Sequence, residues 1–244
     1  HNGNLTNTKT LRKELVESGS IFRTTSDTEV ILQLVARSRE TKIVDKIKDA
    51  LTKIEGAYSL IIMTNKKLIG IRDPYGIRPL VLGKLGNSYI LSSETCALDI
   101  IGAEFIREVE NGEIVIIDKK GIESIKPFPK MNPRPCVFEY IYFSRPDSIL
   151  NGKTAYEYRK KFGEYLANED VVDADVVVPV PDSGNAAALG YSQKKGITFD
   201  LGLIRHHYVG RTFIEPGQKI RSLGVKLKLN ANQSSIKGKK IILI

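Results

Sequence analysis

The first residues that could do chemistry are Asn2 and Gly3, within HNGNLTN. An Asn side-chain amide and the backbone N–H of a following Gly can donate two hydrogen bonds to one point, and Gly permits the close backbone approach that this requires. Two such donors stabilise the oxyanion of a tetrahedral intermediate, and losing one typically costs roughly 10²–10³ in rate. The alternative is an ordinary Asn-Gly turn, which these letters alone favour.

Asp27 stands in a second polar stretch, TTSDTE, at the predicted start of a helix. A carboxylate there is favoured by the positive end of the helix dipole, or it could bind the ammonium group of a ligand. The motif does not decide between these roles. A third stretch, RDPYGIRPLVLG, predicts a rigid turn between two strands that carries two Arg and one Asp, and SSETCALD follows one strand later.

The second half of the chain contains VVVPVPDSG, which predicts a buried strand followed by Asp182 and Ser183. A helix predicted to start at Gly184 would offer backbone N–H groups to a phosphate. The alternative for Ser183 is the N-cap of that helix. Further on, RHHYVGRTFIEPGQKIRSLGVKLK predicts a long basic loop with Gly hinges at Gly210 and Gly217, able to close over a pyrophosphate.

The composition limits the class of protein. A net charge of +9 on 244 residues suggests either polyanionic partners or simply a solvated Lys-rich surface. The Lys residues are dispersed, without interleaved aromatic residues, so we expect phosphorylated small molecules rather than nucleic acid. Cys96 and Cys136 form no CxxC pair, which predicts a reducing, cytoplasmic location without a disulfide framework. The apolar runs are too short to span a membrane, so we expect no membrane partner.

The elements that must position these residues follow two patterns. The first half predicts three helices, TLRKELVESG with Thr10 as N-cap, SDTEVILQLVARS with a capping box of Ser26 and Glu29, and IVDKIKDALTKI, with SIFRTT as a strand. Short runs from Ala57 onward predict antiparallel hairpins. The Pro-rich KPFPKMNPRPC predicts a boundary, giving domains 1–130 and 131–244.

Beyond that boundary, strands alternate with helices, which predicts a parallel sheet with ligands at the carboxyl ends of its strands. ITFDLGLI is one predicted strand, and KKIILI begins another. Because the chain opens without Met and stops inside this last strand, both ends are interpreted as cut.

In this order and spacing, HNGNLTN, SDTE, RDPYGIRPL and SSET resemble the glutaminase domain of class II glutamine amidotransferases. CVFEYIYFSRPDS, VVVPVPDSG and YVGRTFIEPGQ resemble the amidophosphoribosyltransferase branch of that family. The resemblance covers essentially the whole chain. It implies an α+β N-terminal nucleophile-hydrolase type αββα sandwich, in part, followed by part of an α/β type I phosphoribosyltransferase domain.

The resemblance also implies an activity, the first committed step of purine synthesis. An N-terminal Cys hydrolyses glutamine, and the ammonia passes through an internal channel to phosphoribosyl pyrophosphate (PRPP). There it displaces pyrophosphate and gives 5-phosphoribosylamine. The family's Cys and its Arg for the glutamine carboxylate are expected before His1, and its 5′-phosphate loop after Ile244. We therefore expect the 244-residue chain alone to have neither activity.

Residue roles are carried over only where the motifs match. Asn2 and Gly3 match the oxyanion-hole pair, and Asp27 matches the residue that binds the glutamine α-amino group. Ser183 matches a position that contacts the Mg²⁺ of bound PRPP, and Cys136 matches the first ligand of the [4Fe–4S] cluster of some members.

Tyr208 and Arg211 belong to the family's PRPP-binding loop. The chain departs from the family just before them, where Lys-Asn-Arg is replaced by Arg205, His206 and His207, so no role is carried over to those three positions.

The family implies further partners, namely purine nucleotide inhibitors and a second copy of the chain in a homodimer or homotetramer. Two other hypotheses stay open. One is an amidotransferase similar to glucosamine-6-phosphate synthase, and the other is an inactive nucleotide-binding regulator. A Cys at the start of the mature full-length chain would distinguish the enzymes from the regulator.

Overall fold

The computed structural model describes residues 1–169, 172–212 and 214–244, which form two compact units, His1–Val137 and Phe138–Ile244. The predicted boundary at residues 130 and 131 falls inside the Pro-rich segment that closes the first unit. Cys136, which the prediction assigned to the second domain, belongs to the first unit. Within the described residues, no helix has the length and apolar character needed to cross a membrane.

Four helices belong to the first unit: α1 Thr8–Glu17, α2 Asp27–Arg37, α3 Ile43–Leu51 and α4 Thr95–Ile100. The first three lie where the apolar spacing predicts them. The predicted N-cap Thr10 is wrong, because α1 begins at Thr8 and its N-cap is Asn7.

The start of α2 explains why the predicted strand SIFRTT is wrong. Ser26 is the N-cap, and its hydroxyl accepts from the Thr28 N–H at 3.3 Å. In a complete capping box Glu29 would bond back to the Ser26 N–H. Instead its carboxylate accepts the N–H groups of Arg23 and Thr24, each at 2.8 Å. These bonds lower the pKa of Glu29 and hold the segment as an irregular loop.

Two antiparallel sheets form the rest of the first unit, as the hairpin pattern predicts. The strands are β1 Asn2–Leu5, β2 Gly56–Met63, β3 Leu68–Arg72, β4 Val81–Leu85, β5 Ser88–Ser92, β6 Glu104–Glu108, β7 Ile114–Asp118 and β8 Gly121–Ile125. One sheet has the order β1-β2-β3-β7-β8 and the other β5-β4-β6. The short strand β1 therefore lies at an edge.

Alternation along the strands builds successive layers. Ile69 and Ile71 of β3 point into a core shared with α1, α2 and α3. Gly70, between them, faces the other sheet, where an added Cβ would lie 2.7 Å from Leu91. On the far side of that second sheet, Leu98 of α4 packs in a further core. The first unit thus runs helix, sheet, sheet, helix.

The second unit opens with a π-helical turn, Glu139–Phe143, and a small hairpin. Its further elements are β9 Ile149–Leu150, β10 Lys153–Thr154, α5 Ala155–Glu169, β11 Val176–Val178, α6 Asn185–Lys195, β12 Thr198–Phe199, β13 Leu203–Arg205, α7 Gln218–Lys228, β14 Leu229–Ala231, α8 Gln233–Ile236 and β15 Ile241–Leu243. β11 pairs in parallel with β12 and β15, as the alternation of strands and helices predicts, and β13 pairs antiparallel with β14.

Two sequence predictions in this unit need correction. ITFDLGLI is two strands, β12 and β13, which belong to different sheets. Gly202 lies between them, where a Cβ would lie 2.5 Å from Ile236 and 2.7 Å from Val178. The predicted long basic loop contains α7 in its second half. Its apolar side chains are largely exposed (Leu223 is 58% exposed), so α7 lacks the burial on which the other helices depend. Phe213 of this loop lies outside the described residues.

Helices α5 and α6 approach so closely that their backbones touch. A Cβ on Gly163 would collide with the carbonyl of Ala187, and a Cβ on Gly190 would collide with the carbonyl of Lys160. Neither Gly has a positive φ, so the requirement is one of space and not of backbone conformation.

Replacing Gly163 by Ala should lower the free energy of unfolding of the second unit by roughly 1–3 kcal/mol, because the helices must separate to admit the methyl group. Urea unfolding followed by circular dichroism measures this. Gly210→Ala is the control, since nothing lies within 4 Å of its added Cβ. Equal losses in the two variants would show that α5 and α6 do not meet at Gly163.

Candidate active site

The edge strand β1 carries the predicted oxyanion donors. Gly3 stands opposite Tyr58 of β2 and has φ +145°. L-residues with a side chain rarely adopt that φ, and a Cβ here would collide with the carbonyl of Ala57. Only Gly therefore fits at this position of the strand.

The N–H of Gly3 faces the open edge of the sheet. The N–H of Thr6 donates to Glu55 O at 2.8 Å, whereas that of Leu5 donates away from β2, to Asp27 Oδ2 at 3.1 Å. In an antiparallel pair successive residues alternate between these two directions. Gly3, two residues from Leu5, therefore points its N–H away from β2, where a ligand can accept it.

The side chain of Asn2 is oriented by Arg78. Arg78 Nε donates to Asn2 Oδ1 at 3.1 Å. A guanidinium group has donors only, so the oxygen end of the amide faces Arg78 and the NH₂ end faces away. Both predicted donors, the Asn2 NH₂ and the Gly3 N–H, are thus presented by β1.

Asp27 lies beside the same strand. It is the first residue of α2, and its side chain is 25% exposed. Its carboxylate accepts the hydrogen bond from the Leu5 N–H and also lies 3.5 Å from Nδ1 of His1. His1 Nδ1 is also 2.9 Å from the Thr28 hydroxyl. Leu5 lies two positions after Gly3 along the strand, which is a distance of roughly 7 Å. The structure therefore brings Asn2, Gly3 and Asp27 together along one edge, although their roles stay predictions.

The loop between β3 and β4, residues 73 to 80, is organised by buried Asp73. Its carboxylate accepts the backbone N–H groups of Tyr75 at 2.9 Å, Ile77 at 3.1 Å and Tyr58 at 3.3 Å. Burial raises the pKa of Asp73, and the three N–H groups oppose that shift only in part. One carboxylate therefore fixes both the loop and the strand β2 that pairs with β1.

Arg72 is also buried, and its hydrogen bonds hold the same loop in place. Its guanidinium donates to the carbonyls of Arg78 at 2.9 Å, Gly76 at 3.1 Å and Val109 at 2.9 Å, and to the Glu108 carboxylate at 3.3 Å. The sequence indicated a rigid loop with charged residues. It did not indicate that Arg78 meets Asn2, because nothing local links residues 76 positions apart.

In the second unit, Ser183 lies in the turn between β11 and α6 and is exposed. The N-cap of α6 is Gly184, so the N-cap alternative for Ser183 is wrong. The N–H of Gly184 donates to Val180 O at 2.9 Å and that of Asn185 to Asp182 O at 3.3 Å. These two N–H groups, expected to bind phosphate, are thus satisfied within the turn.

Tyr208 and Arg211 follow β13, and Tyr208 is 96% exposed. In the described ranges, no hydrogen bond or ion pair joins either residue to Ser183. Arg205, at the end of β13, forms an ion pair with Asp182, which connects this segment to the turn that carries Ser183.

The metal predictions can be compared with the donors present. The Ser183 hydroxyl is an exposed oxygen of the type that Mg²⁺ prefers. Cys136 is half-buried, and one thiolate cannot hold a [4Fe–4S] cluster. Across the described residues, no three His, Cys, Asp or Glu side chains form a metal-binding group. These residues therefore suffice for one ligand to a substrate-bound Mg²⁺ and do not fit a cluster by themselves.

Comparison with known proteins gives a consistent result. Residues 1–99 match the glutamine amidotransferase domain family. The whole chain is 55% identical to the amidophosphoribosyltransferase of Rhizobium etli and 47% identical to that of Bacillus subtilis, covering 50% and 51% of those proteins. It is 54% identical to the chloroplastic amidophosphoribosyltransferase 1 of Arabidopsis thaliana, covering 43% of it. The chain thus spans about half the length of these curated relatives.

A solved structure also resembles the chain. The B. subtilis glutamine PRPP amidotransferase complexed with ADP and GMP superimposes with a TM-score of 0.92 at 47% identity. The match covers 99% of this chain and 53% of that one. The similarity therefore includes both units and not only the matched glutamine amidotransferase domain.

Replacing Asp73 by Ala should lower the free energy of unfolding by roughly 1–3 kcal/mol at neutral pH, because buried backbone N–H groups lose their acceptor. Urea unfolding measures this, and Asp99→Ala, at an exposed position of α4, is the control. A loss no larger than that of the control would contradict the assigned role.

The pH dependence supplies a second measurement on the same variant. Because burial raises the folded-state pKa of Asp73, its contribution is fully present below its ordinary pKa of 3.8 and falls as pH rises through the folded-state value. The stability difference between wild type and Asp73→Ala should therefore be larger in acid than at neutral pH. A difference that grows with pH would contradict the raised pKa.

Proposed function

We propose, from the similarity of the whole chain to amidophosphoribosyltransferases, that this protein belongs to that family and converts PRPP and glutamine to 5-phosphoribosylamine, pyrophosphate and glutamate. The first unit is proposed as an N-terminal nucleophile-hydrolase type glutaminase domain, and its succession of helix, sheet, sheet and helix supports this. The second unit is proposed as part of a type I phosphoribosyltransferase domain, supported by its parallel sheet.

One observation carries the glutaminase proposal, namely the open edge of β1. The Gly3 N–H faces that edge, the Asn2 amide turns its oxygen toward Arg78, and Asp27 bonds the same edge at Leu5. Glutamine has its carboxamide at one end and its ammonium group at the other. A glutamine lying along β1 could therefore meet both donors and the carboxylate at once.

The proposed chemistry follows from these groups. A nucleophile adds to the carboxamide carbon, and the electron pair of the C=O bond moves onto oxygen. The Gly3 N–H and the Asn2 NH₂ stabilise that oxyanion until it collapses, and the nitrogen takes up the proton lost by the nucleophile and leaves as ammonia. Water then hydrolyses the acyl group from the nucleophile, which gives glutamate. Asp27 holds the ammonium group of glutamine throughout. The nucleophile that the resemblance implies, an N-terminal Cys, is not among the residues of this chain.

In the second unit, ammonia would displace pyrophosphate from C1 of PRPP. Mg²⁺, when bound with PRPP, would neutralise charge on the leaving pyrophosphate, and Ser183 would supply one oxygen ligand to it. Arg211 and Tyr208 would close over PRPP from the segment after β13. This proposal is supported by the exposure of both side chains, which leaves them available to a ligand. The net positive charge of the chain also suits a phosphorylated substrate.

We further propose inhibition by purine nucleotides, assembly with further copies of the chain, and a cytoplasmic location. The nucleotides bound in the B. subtilis structure support the first of these. The two Cys are free thiols, which suits a reducing compartment. Cys136 as one of four cluster ligands stays a prediction.

The decisive experiment supplies glutamine, PRPP and Mg²⁺ to the full-length protein and measures glutamate and pyrophosphate. Equal amounts of the two, each dependent on PRPP, are expected. Glutamate release driven by a different sugar phosphate would favour the glucosamine-6-phosphate-synthase-like hypothesis. No turnover, together with nucleotide binding, would favour the inactive regulator.

Asp27→Asn should raise the KM for glutamine by roughly 10- to 10²-fold, since it removes a charge-assisted contact to the ammonium group. Steady-state assay of glutamate release measures this. Phosphoribosylamine formation from added ammonia should be unchanged, because it bypasses glutamine. Asp99→Asn, at an exposed site, is the control. An unchanged KM for glutamine would contradict the proposal that Asp27 binds the ammonium group.

Arg211→Ala should raise the KM for PRPP by roughly 10-fold or more, because a guanidinium group binds phosphate oxygens with charge-assisted bonds. The assay uses ammonia as nitrogen donor, so that the glutaminase step does not contribute. Arg211→Lys should recover part of the loss, and Arg39→Ala, at an exposed site, should show none. Wild-type kinetics in Arg211→Ala would contradict the proposed role.

A further inference from the structure

The side-chain amide of Asn2 has two chemically different ends, and only the NH₂ end can stabilise an oxyanion. The oxygen end would repel it. Half a turn about the last side-chain bond exchanges the two, and the amide has nearly the same shape in both orientations. An Asn in this role therefore requires a neighbour that determines which end faces the reacting atom.

Arg78 is placed to do this. Its Nε donates to Asn2 Oδ1 at 3.1 Å, from the loop between β3 and β4 to the edge strand. A guanidinium group has N–H donors and no acceptor. A reversed amide would therefore place its NH₂ group against the N–H of Arg78, and the hydrogen bond would be lost. The contact thus discriminates between the two orientations and does more than restrain the side chain.

The position of Arg78 is itself fixed from both sides. Its carbonyl oxygen accepts a hydrogen bond from Nε of the buried Arg72 at 2.9 Å. The carbonyl oxygen of Pro79 accepts a hydrogen bond from the Ser59 hydroxyl at 3.1 Å. Arg72 and Ser59 belong to β3 and β2, the strands through which β1 is attached to the sheet. The side chain of Arg78 therefore starts from a backbone held in register with Asn2.

A cation at Oδ1 also changes the amide electronically. Hydrogen bonding to the oxygen of an amide draws electron density from its nitrogen, which makes the NH₂ a stronger donor. Orientation and polarisation act in the same direction, since both favour a negative charge on the side of the amide away from Arg78.

We propose that Arg78 is a positioning residue for glutamine hydrolysis, which sets and polarises the Asn2 amide without touching the substrate. This rests on the proposed role of Asn2 as an oxyanion donor. A group that acts only on the oxyanion affects the transition state and leaves the binding of glutamine almost unchanged.

The test measures glutamate release by the full-length enzyme in the presence of PRPP. Arg78→Met should lower kcat at least about 10-fold, toward the roughly 10²–10³ of a lost donor, with little change in the KM for glutamine. Arg78→Lys, which keeps a group with donors only, should recover part of kcat. Arg78→Gln should not, because its amide can present either end. Arg39→Met, at an exposed position, is the matched control and should keep the wild-type kcat.

A double variant separates positioning from general disruption. In the Asn2→Ala background, Arg78→Met should cause no further loss of kcat, because the group that it orients is absent. Additive losses, or a wild-type kcat in Arg78→Met and Arg78→Gln, would overturn the inference and leave the proposed function intact. A wild-type kcat in Asn2→Ala would instead remove the oxyanion role, and the inference with it.

Discussion

The architecture of the first unit depends on a buried pair of opposite charges, Arg72 and Asp73, at the end of β3. Burying two ions is costly unless their hydrogen-bonding capacity is met. Here backbone N–H groups satisfy the carboxylate, and carbonyl oxygens with one carboxylate satisfy the guanidinium. The same bonds determine the course of the loop that carries Arg78. Stability and site geometry are therefore set by one set of contacts.

The edge strand β1 combines two requirements that usually conflict. Its outer N–H groups must stay free for a ligand, yet an unpaired strand edge is prone to pair with other chains. The strand is only four residues long, and α2 takes the Leu5 N–H through Asp27. Gly3 also has a positive φ, which residues with a side chain rarely adopt. These features limit the exposed edge to the donors that the proposed chemistry uses.

The second unit is organised differently. Its core is small, and its helices α5 and α6 pack through two Gly residues, so tight backbone approach substitutes for large side chains. In the segment after β13, Tyr208 and Arg211 are exposed to solvent. An exposed basic segment of this kind suits the phosphorylated ligand that is proposed for this unit.

Much of this protein follows from the sequence alone. The hairpins of the first unit, its helices α1, α2 and α3, and the parallel strands of the second unit lie where the sequence patterns predict them, because a buried face imposes its period on neighbouring residues. Local motifs singled out the stretches that carry Asn2, Gly3 and Asp27, and the roles of these three residues stay predictions. Tertiary structure alone decided that Glu29 bonds Arg23 and Thr24, that α7 forms without a buried face, and that Arg78 meets Asn2. The contact between Arg78 and Asn2 joins residues 76 positions apart, and its distance is determined by strand pairing and loop geometry, which leave no periodic trace in the sequence.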